Sequence, residues 1–215
     1  MTKTLIVTSF IDHIENVSLS FDTFDTIICA DGGLLAARKL GLKPDFLIGD
    51  YDSMEQPAEK VIKLPAEKDM TDSEAAIDLA VSKGASHITV LGGLGGRFDH
   101  TMGNIGMLAK YCGKLSHLSF TDGQNYVFML APGSYTLPKN RFTYLGVASY
   151  GLCAENVTLR GVKYPLTDYR LTDNTTLGVS NEITEDTAQI SFTAGRLLIV
   201  LSSDMPASPK INADK

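Results

Sequence analysis

Acidic residues in this chain recur where an apolar run gives way to glycine or a turn. Asp31-Gly32-Gly33 follows "TIICA", Asp50-Tyr51-Asp52-Ser53 follows "DFLIG", and Gly93-Leu94-Gly95-Gly96-Arg97-Phe98-Asp99-His100 follows "HITVLG". A further group, Lys68-Asp69-Met70-Thr71-Asp72, sits at the start of a helical pattern. Carboxylates gathered within a few ångströms repel one another, and some must take up protons unless a cation joins them. A hard divalent ion such as Mg²⁺ accepts oxygen ligands of this kind, keeps several waters and bridges phosphates. The glycine-rich "GGLGGR" supplies backbone N–H groups without obstructing side chains, and Arg97 supplies a planar donor pair for phosphate oxygens. Acids for a metal, with glycines and an arginine for phosphate, describe phosphoryl-type transfer from a nucleotide, where catalysis is positioning and charge neutralisation.

Taken singly, each group has a plainer reading. Asp31 before two glycines suits a turn or a helix N-cap. "GDYDS" suits a solvated turn, and Asp72 beside Thr71 suits the positive end of a helix dipole. "GGLGGR" lacks the last glycine of a GxGxxG, because Phe98 stands there, and no GxxxxGK[ST] occurs. His100 reads as a polar residue at a helix start. What favours chemistry is that the strand exits coincide.

That coincidence follows from the elements. "TLIVTS" (4–9), "TIICA" (26–30), "DFLIG" (45–49), "HITVLG" (87–92) and "LSHLSFT" (115–121) are short apolar runs. Helical patterns lie between some of them. "GGLLAARKLG" stops at Gly41, and "TDSEAAIDLAVSKG" opens with a Thr71–Glu74 capping box and stops at Gly84. "DHTMGNIGMLAKYCG" aligns Met102, Ile105, Leu108 and Ala109, and Cys112. Strands alternating with helices predict an α/β unit, a mostly parallel sheet with flanking helices, over residues 1–125. In such a sheet all strand carboxyl ends share one edge, where ligands bind. Asp31, Asp50, Asp52 and Asp99 are thus brought to one edge, and Asp72 starts a helix that can face it. From about Tyr126 the pattern becomes short strands separated by turns, which predicts an all-β sandwich over 126–215. Ala194-Gly195 between the last two strands reads as a hairpin signal.

Composition narrows the partners. The 215 residues are 44% hydrophobic and 20% charged, with a formal net charge of −6. No Lys/Arg run offsets that charge, so no nucleic-acid partner is expected. The three cysteines, Cys29, Cys112 and Cys153, form no CxxC, which suits a reducing compartment. No apolar run is long enough for a membrane span or a signal segment, so a cytoplasmic location is expected.

The ordered set "ADGG" (30–33), "PDFLIGDYDS" (44–53), "KDMTD" (68–72), "GGRFDH" (95–100), "GVKYPL" (161–166) and "GVSNE" (178–182) resembles the thiamine pyrophosphokinase family. The resemblance implies transfer of pyrophosphate from ATP to the hydroxyl of thiamine, giving thiamine diphosphate and AMP, with Mg²⁺ and a homodimer. By motif, Asp50, Asp52 and Asp72 resemble the family's metal-binding acids. Asp31 and Asp99 resemble further acids of the ATP site, and Gly32, Gly33, Gly95, Gly96 and Arg97 its phosphate contacts. Ser180 and Asn181 match the segment that meets thiamine, across the dimer interface. Tyr164 stands where many members carry Trp, and its ring can still stack on a cationic thiazolium. The resemblance leaves Asp72 and Asp99 as alternative proton acceptors. A hydroxymethylpterin pyrophosphokinase, a non-catalytic nucleotide or thiamine sensor, and a protein whose acids serve only turns and caps are the competing readings.

Overall fold

Six strands rich in Ile, Val and Leu form the parallel part of the molecule. They are β1 (Lys3–Val7), β2 (Thr26–Ala30), β3 (Phe46–Gly49), β4 (Val61–Lys63), β5 (His87–Leu91) and β6 (His117–Thr121), in the spatial order β4-β3-β2-β1-β5-β6. The computed structural model describes residues 1–12, 14–49, 61–63, 69–151 and 153–204. Asp50, Asp52 and Lys68 lie outside the described residues. Strand β4 was not expected from the sequence, because three residues carry too short a pattern to read.

Near-continuous apolar strands need cover on both faces, and three helices supply it. Helix α1 (Gly33–Lys39) packs on one face against Leu5, Val7, Cys29 and Leu47. Helices α2 (Asp72–Ser82) and α3 (Phe98–Tyr111) pack on the other, where Ala76, Ile77 and Leu108 meet Ile6, Ile28, Ile88 and Val90. Ile6, Ile28, Ile77 and Ile88 are each 0% exposed, and each such burial stabilises by about 2 kcal/mol.

Gly33 lets α1 sit close. A Cβ there would lie 2.0 Å from the Val7 carbonyl oxygen, so only hydrogen fits between helix and strand. Helix α2 begins as expected, with Thr71 Oγ1 accepting from the Glu74 N–H at 3.2 Å. The Glu74 carboxylate instead reaches across to Lys110 Nζ at 3.0 Å. Asp78 is hydrogen-bonded by Tyr111 Oη, so α2 and α3 are clasped side by side. The α3 face differs from expectation. Asn104, Met107, Leu108 and Tyr111 are buried, and Met102 is exposed. A polar residue therefore occupies the inner face.

The second half extends and doubles this sheet. Its strands are β7 (Asn125–Leu130), β8 (Gly133–Pro138), β9 (Tyr144–Ser149), β10 (Cys153–Arg160), β11 (Leu166–Thr172), β12 (Thr187–Phe192) and β13 (Leu197–Ser202). Strands β7, β13 and β9 continue the first sheet beyond β6 in antiparallel sense, making nine strands. Strands β11-β10-β12-β8 form a separate antiparallel sheet. Phe128, Leu145, Val147 and Ile199 of the first sheet meet Val157, Leu159, Ile190 and Phe192 of the second in one apolar core. The fold is thus α/β with a β sandwich, and the sandwich borrows one layer from the end of the long sheet.

One expectation is corrected. Ala194-Gly195 does not close a hairpin, because β12 pairs with β8 and β10 while β13 pairs with β7 and β9. The turn carries the chain between sheets. Gly195 has φ 88°, and a Cβ there would lie 2.2 Å from the Cys153 carbonyl oxygen. No helix among the described residues is long and apolar enough to cross a membrane.

Candidate active site

The strand exits do share an edge. Register pairs Val7 with Cys29 and Leu91, and Leu91 with Thr121, so the residues after β1, β2, β5 and β6 emerge together. Strand β1 lies where the connections reverse direction across the sheet, the position at which open α/β sheets bind ligands.

Asp31 leaves β2 with φ 50°, exposed, and its N–H donates to the Ile48 carbonyl at 2.7 Å. It is thereby held against the end of β3. Ser9 continues β1 and touches the next turn, for a Cβ on Gly32 would lie 3.1 Å from Ser9 Cβ. Phe10 touches the turn after β5, for a Cβ on Gly96 would lie 3.1 Å from its ring. The segment Thr8–Phe10 therefore bridges both glycine-bearing turns.

After β5 the chain makes a close loop. Gly92, Gly93, Gly95 and Gly96 all have positive φ, from 60° to 98°. The Gly93 N–H donates to the Phe10 carbonyl at 3.1 Å, and Asn104 Nδ2 donates to the Gly93 carbonyl at 2.7 Å. The loop feeds α3, whose first residues Phe98, Asp99 and His100 are exposed. Arg97 donates to Asp99 at 2.6 Å. That hydrogen bond holds the Asp99 carboxyl below the usual carboxylate range, and Asp99 in turn raises the Arg97 guanidinium. Both side chains are exposed to solvent.

Two adjoining cavities, of about 230 and 150 Å³, open between these elements. Thr8, Phe10, Ser73 and Arg97 line the larger, Thr71, Glu74, Asp99 and Met107 the smaller, and His100 and Asn104 line both. The start of α2, where Asp72 sits half-buried, thus faces the Gly95–His100 segment across one recess. Among the described residues no three His, Cys, Asp or Glu side chains cluster closely enough to hold a metal. Asp72 and Asp31 are described, whereas Asp50 and Asp52 are not. An all-carboxylate set drawn from Asp50, Asp52 and Asp72 has the oxygen chemistry that a hard divalent ion takes.

Asp122, after β6, has a structural duty at this edge. It is 3% exposed, and its Oδ1 accepts from the N–H groups of Gln124 at 2.9 Å and Asn125 at 2.7 Å, closing the β6–β7 turn.

Tyr164, Ser180 and Asn181 come together elsewhere, at the β9 end of the sheet. The segment 178–181 lies along β9: Val147 N–H donates to the Gly178 carbonyl at 3.0 Å, and Leu145 N–H to that of Asn181 at 2.8 Å. A Cβ on Gly178 would lie 1.8 Å from the Val147 carbonyl oxygen, which explains the glycine of "GVSNE". Ser180 has φ 57° and is exposed, and Tyr164 is 55% exposed. Asn181 is 2% exposed and holds Tyr164 by its backbone. An open recess of about 630 Å³ includes Tyr144, Tyr164, Ser180, Glu182 and Asp204. Two aromatic rings and two carboxylates suit a flat cation. Lys163 is turned to Glu182 at 2.6 Å, which offsets one of those charges.

Thr8, Ser9, Phe10, Ser73 and Asn104 were not singled out from sequence. The β1 exit carries no acid, yet it had to reach the same edge as the others. Asn104 stands one helical turn before Leu108, on the face that α3 buries, but the apolar pattern of the sequence points to a different face.

The chain matches two family models, "Thiamin pyrophosphokinase, catalytic domain" over residues 17–118 and "Thiamin pyrophosphokinase, vitamin B1 binding domain" over 134–197. It is 33% identical over 186 residues to thiamine pyrophosphokinase of Bacillus subtilis, covering 82% of this chain and 87% of that protein. It is 27% identical to thiamin pyrophosphokinase 1 of Caenorhabditis elegans, covering 73% of this chain and 68% of the relative. The crystal structure of a thiamin pyrophosphokinase family protein from Enterococcus faecalis superposes with a TM-score of 0.84 at 30% identity, over 95% of this chain and 100% of the other. That of the Bacillus subtilis protein gives 0.82 at 28% identity, with the same coverage.

Proposed function

Because the chain belongs to the thiamin pyrophosphokinase family, we propose that its two recesses are the two halves of one active site. The enzyme transfers pyrophosphate from ATP to the hydroxyl of thiamine, giving thiamine diphosphate and AMP. In our reading residues 1–125 handle the nucleotide and 126–215 the thiamine. The observation that carries it is the recess between the start of α2 and the Gly95–His100 segment.

ATP lies along the sheet edge. Gly32, Gly33, Gly95 and Gly96 allow backbone N–H groups to approach its phosphates, and Arg97 leaves Asp99 to pair with them. Mg²⁺, when bound, supplies charge neutralisation at the phosphate oxygens, and Asp50, Asp52 and Asp72 are the residues that would hold it. The thiamine hydroxyl attacks the β-phosphorus in line, the bond from that phosphorus to the α–β bridging oxygen breaks, and AMP leaves with the electron pair. The hydroxyl proton passes to a carboxylate. Asp99 becomes the stronger acceptor once Arg97 turns away, because losing that partner raises its pKa. Asp72 is the alternative.

Geometry within one chain supports a homodimer. From the β5 exit to β9 the sheet crosses β6, β7 and β13, four strand spacings or about 19 Å. Reacting atoms must approach to about 3.5 Å. We therefore read the Tyr164–Ser180 recess of one subunit as serving the nucleotide edge of its partner, with Asn181 positioning Tyr164. We also propose a cytoplasmic location, where ATP is at hand.

Product analysis tests the reaction. Incubation with ATP, Mg²⁺ and thiamine should yield AMP and thiamine diphosphate in equal amounts. Formation of ADP and thiamine monophosphate would replace pyrophosphoryl with phosphoryl transfer, and a preference for hydroxymethylpterin would move the acceptor.

A further inference from the structure

The cavities at the sheet edge contain two groups that phosphate and metal binding do not use. One is the Phe10 ring, 44% exposed although apolar. It rests on the turn at Gly95 and Gly96, where positive φ and the missing Cβ atoms make room for it, and its remaining surface faces the larger cavity. An exposed phenyl ring beside a nucleotide edge offers a planar face on which a base can stack.

The other is the Asn104 carboxamide, 5% exposed in the floor shared by both cavities. The atom 2.7 Å from the Gly93 carbonyl must be its nitrogen, since only a donor can bond there. The orientation of the amide is therefore determined. Its Oδ1 makes no hydrogen bond among the described residues, and it is not sealed from solvent. Ser149 Oγ is the one buried, unpartnered side-chain polar atom among them. A pinned acceptor at the floor of a recess with an apolar wall at Met107 awaits a donor.

We propose that Phe10 and Asn104 form the seat of the nucleobase: the ring stacks on the base and Asn104 Oδ1 accepts a hydrogen bond from its exocyclic amino group. The seat then selects a 6-aminopurine over a 6-oxopurine, whose carbonyl would face another acceptor. This rests on reading the edge as a nucleotide site. It adds two residues that set which nucleotide is taken and hold the phosphates in register with the acids.

Calorimetric binding of AMP, IMP and inorganic tripolyphosphate in Mg²⁺ tests it without turnover, so a wrong assignment of thiamine as acceptor would leave the result readable. The wild-type protein should bind AMP at least about tenfold tighter than IMP. Phe10→Ala should weaken AMP roughly tenfold while leaving tripolyphosphate unchanged. Asn104→Ala should bring AMP to the level of IMP. Loosening of the glycine loop by either substitution would instead weaken tripolyphosphate and both nucleotides together, and that outcome would overturn the proposal. Equal affinity of the wild-type protein for AMP and IMP would overturn it as well.

Discussion

Asn181 holds the backbone of Tyr164 at two points: its Oδ1 accepts from the Tyr164 N–H at 2.9 Å and its Nδ2 donates to the Tyr164 carbonyl at 2.8 Å. The same Oδ1 accepts from the Glu182 N–H at 2.9 Å. Three of the four bonds this side chain can make are thus spent inside the fold. In our account Asn181 serves thiamine by presenting the exposed ring of Tyr164.

Asn181→Ala should accordingly raise KM for thiamine about tenfold and leave KM for ATP unchanged. It should also cost about 2 kcal/mol of stability, because buried backbone groups lose partners. Steady-state kinetics with each substrate varied, together with urea unfolding, read both effects. A rise in KM for ATP of the same size would argue against two separable halves.

Glycines divide into those the packing needs and those it does not. Gly33→Ala would place a methyl 2.0 Å from the Val7 carbonyl oxygen, and pushing α1 off the sheet should cost about 3 kcal/mol. Gly106 sits inside α3 with nothing within 4 Å of an added Cβ, so Gly106→Ala should stabilise by about 0.5–1 kcal/mol. Thermal unfolding of the two variants should move in opposite directions.

His117 carries a pH dependence. It lies at the start of β6, its Nε2 2.7 Å from Tyr126 Oη, with the Phe128 ring at 5.6 Å and the His87 ring at 6.5 Å. Burial, helped by the nearby His87, lowers its pKa. The unfolded chain therefore binds this proton more readily than the fold does. The stability that results is complete above the unfolded value near 6.5 and is lost as pH falls through the folded value. Urea unfolding at pH 7.5 and pH 5 should show the wild-type protein losing more stability on acidification than His117→Gln. Equal losses would remove His117 from the account.

Much of this fold is legible in the sequence because strands buried on both faces leave unbroken apolar runs. "TIICA" coincides with β2, and "HITVLG" contains β5. What local pattern could not convey is partnership. Ala194-Gly195 makes a turn in any context, and only the long-range pairing of β13 with β7 decides that it crosses between sheets. Asp122 follows β6 much as Asp31 follows β2, yet its oxygens are taken by Gln124 and Asn125. Asn104 acquires meaning only from the Gly93 carbonyl, eleven residues away. The acids were recognisable by position, since parallel strands deliver their exits to one side. Asp31, Asp72 and Asp99 are described at that edge, and Asp50 and Asp52 follow from β3 beyond the described residues.

The central claim is that acids at the nucleotide edge of one subunit act with the thiamine recess of another. Mixing two separately inactive variants tests it most directly. Asp52→Asn removes a carboxylate of the proposed metal site, and Tyr164→Arg places a positive charge where, in our account, a cationic ring stacks. Each alone should fold and form no thiamine diphosphate. Co-refolded in equal amounts, they should recover about a quarter of wild-type turnover, because half the dimers are mixed and each of those keeps one intact site. A mixture as inactive as its parents, or an Asp52→Asn protein with near-wild-type AMP production, would contradict the account.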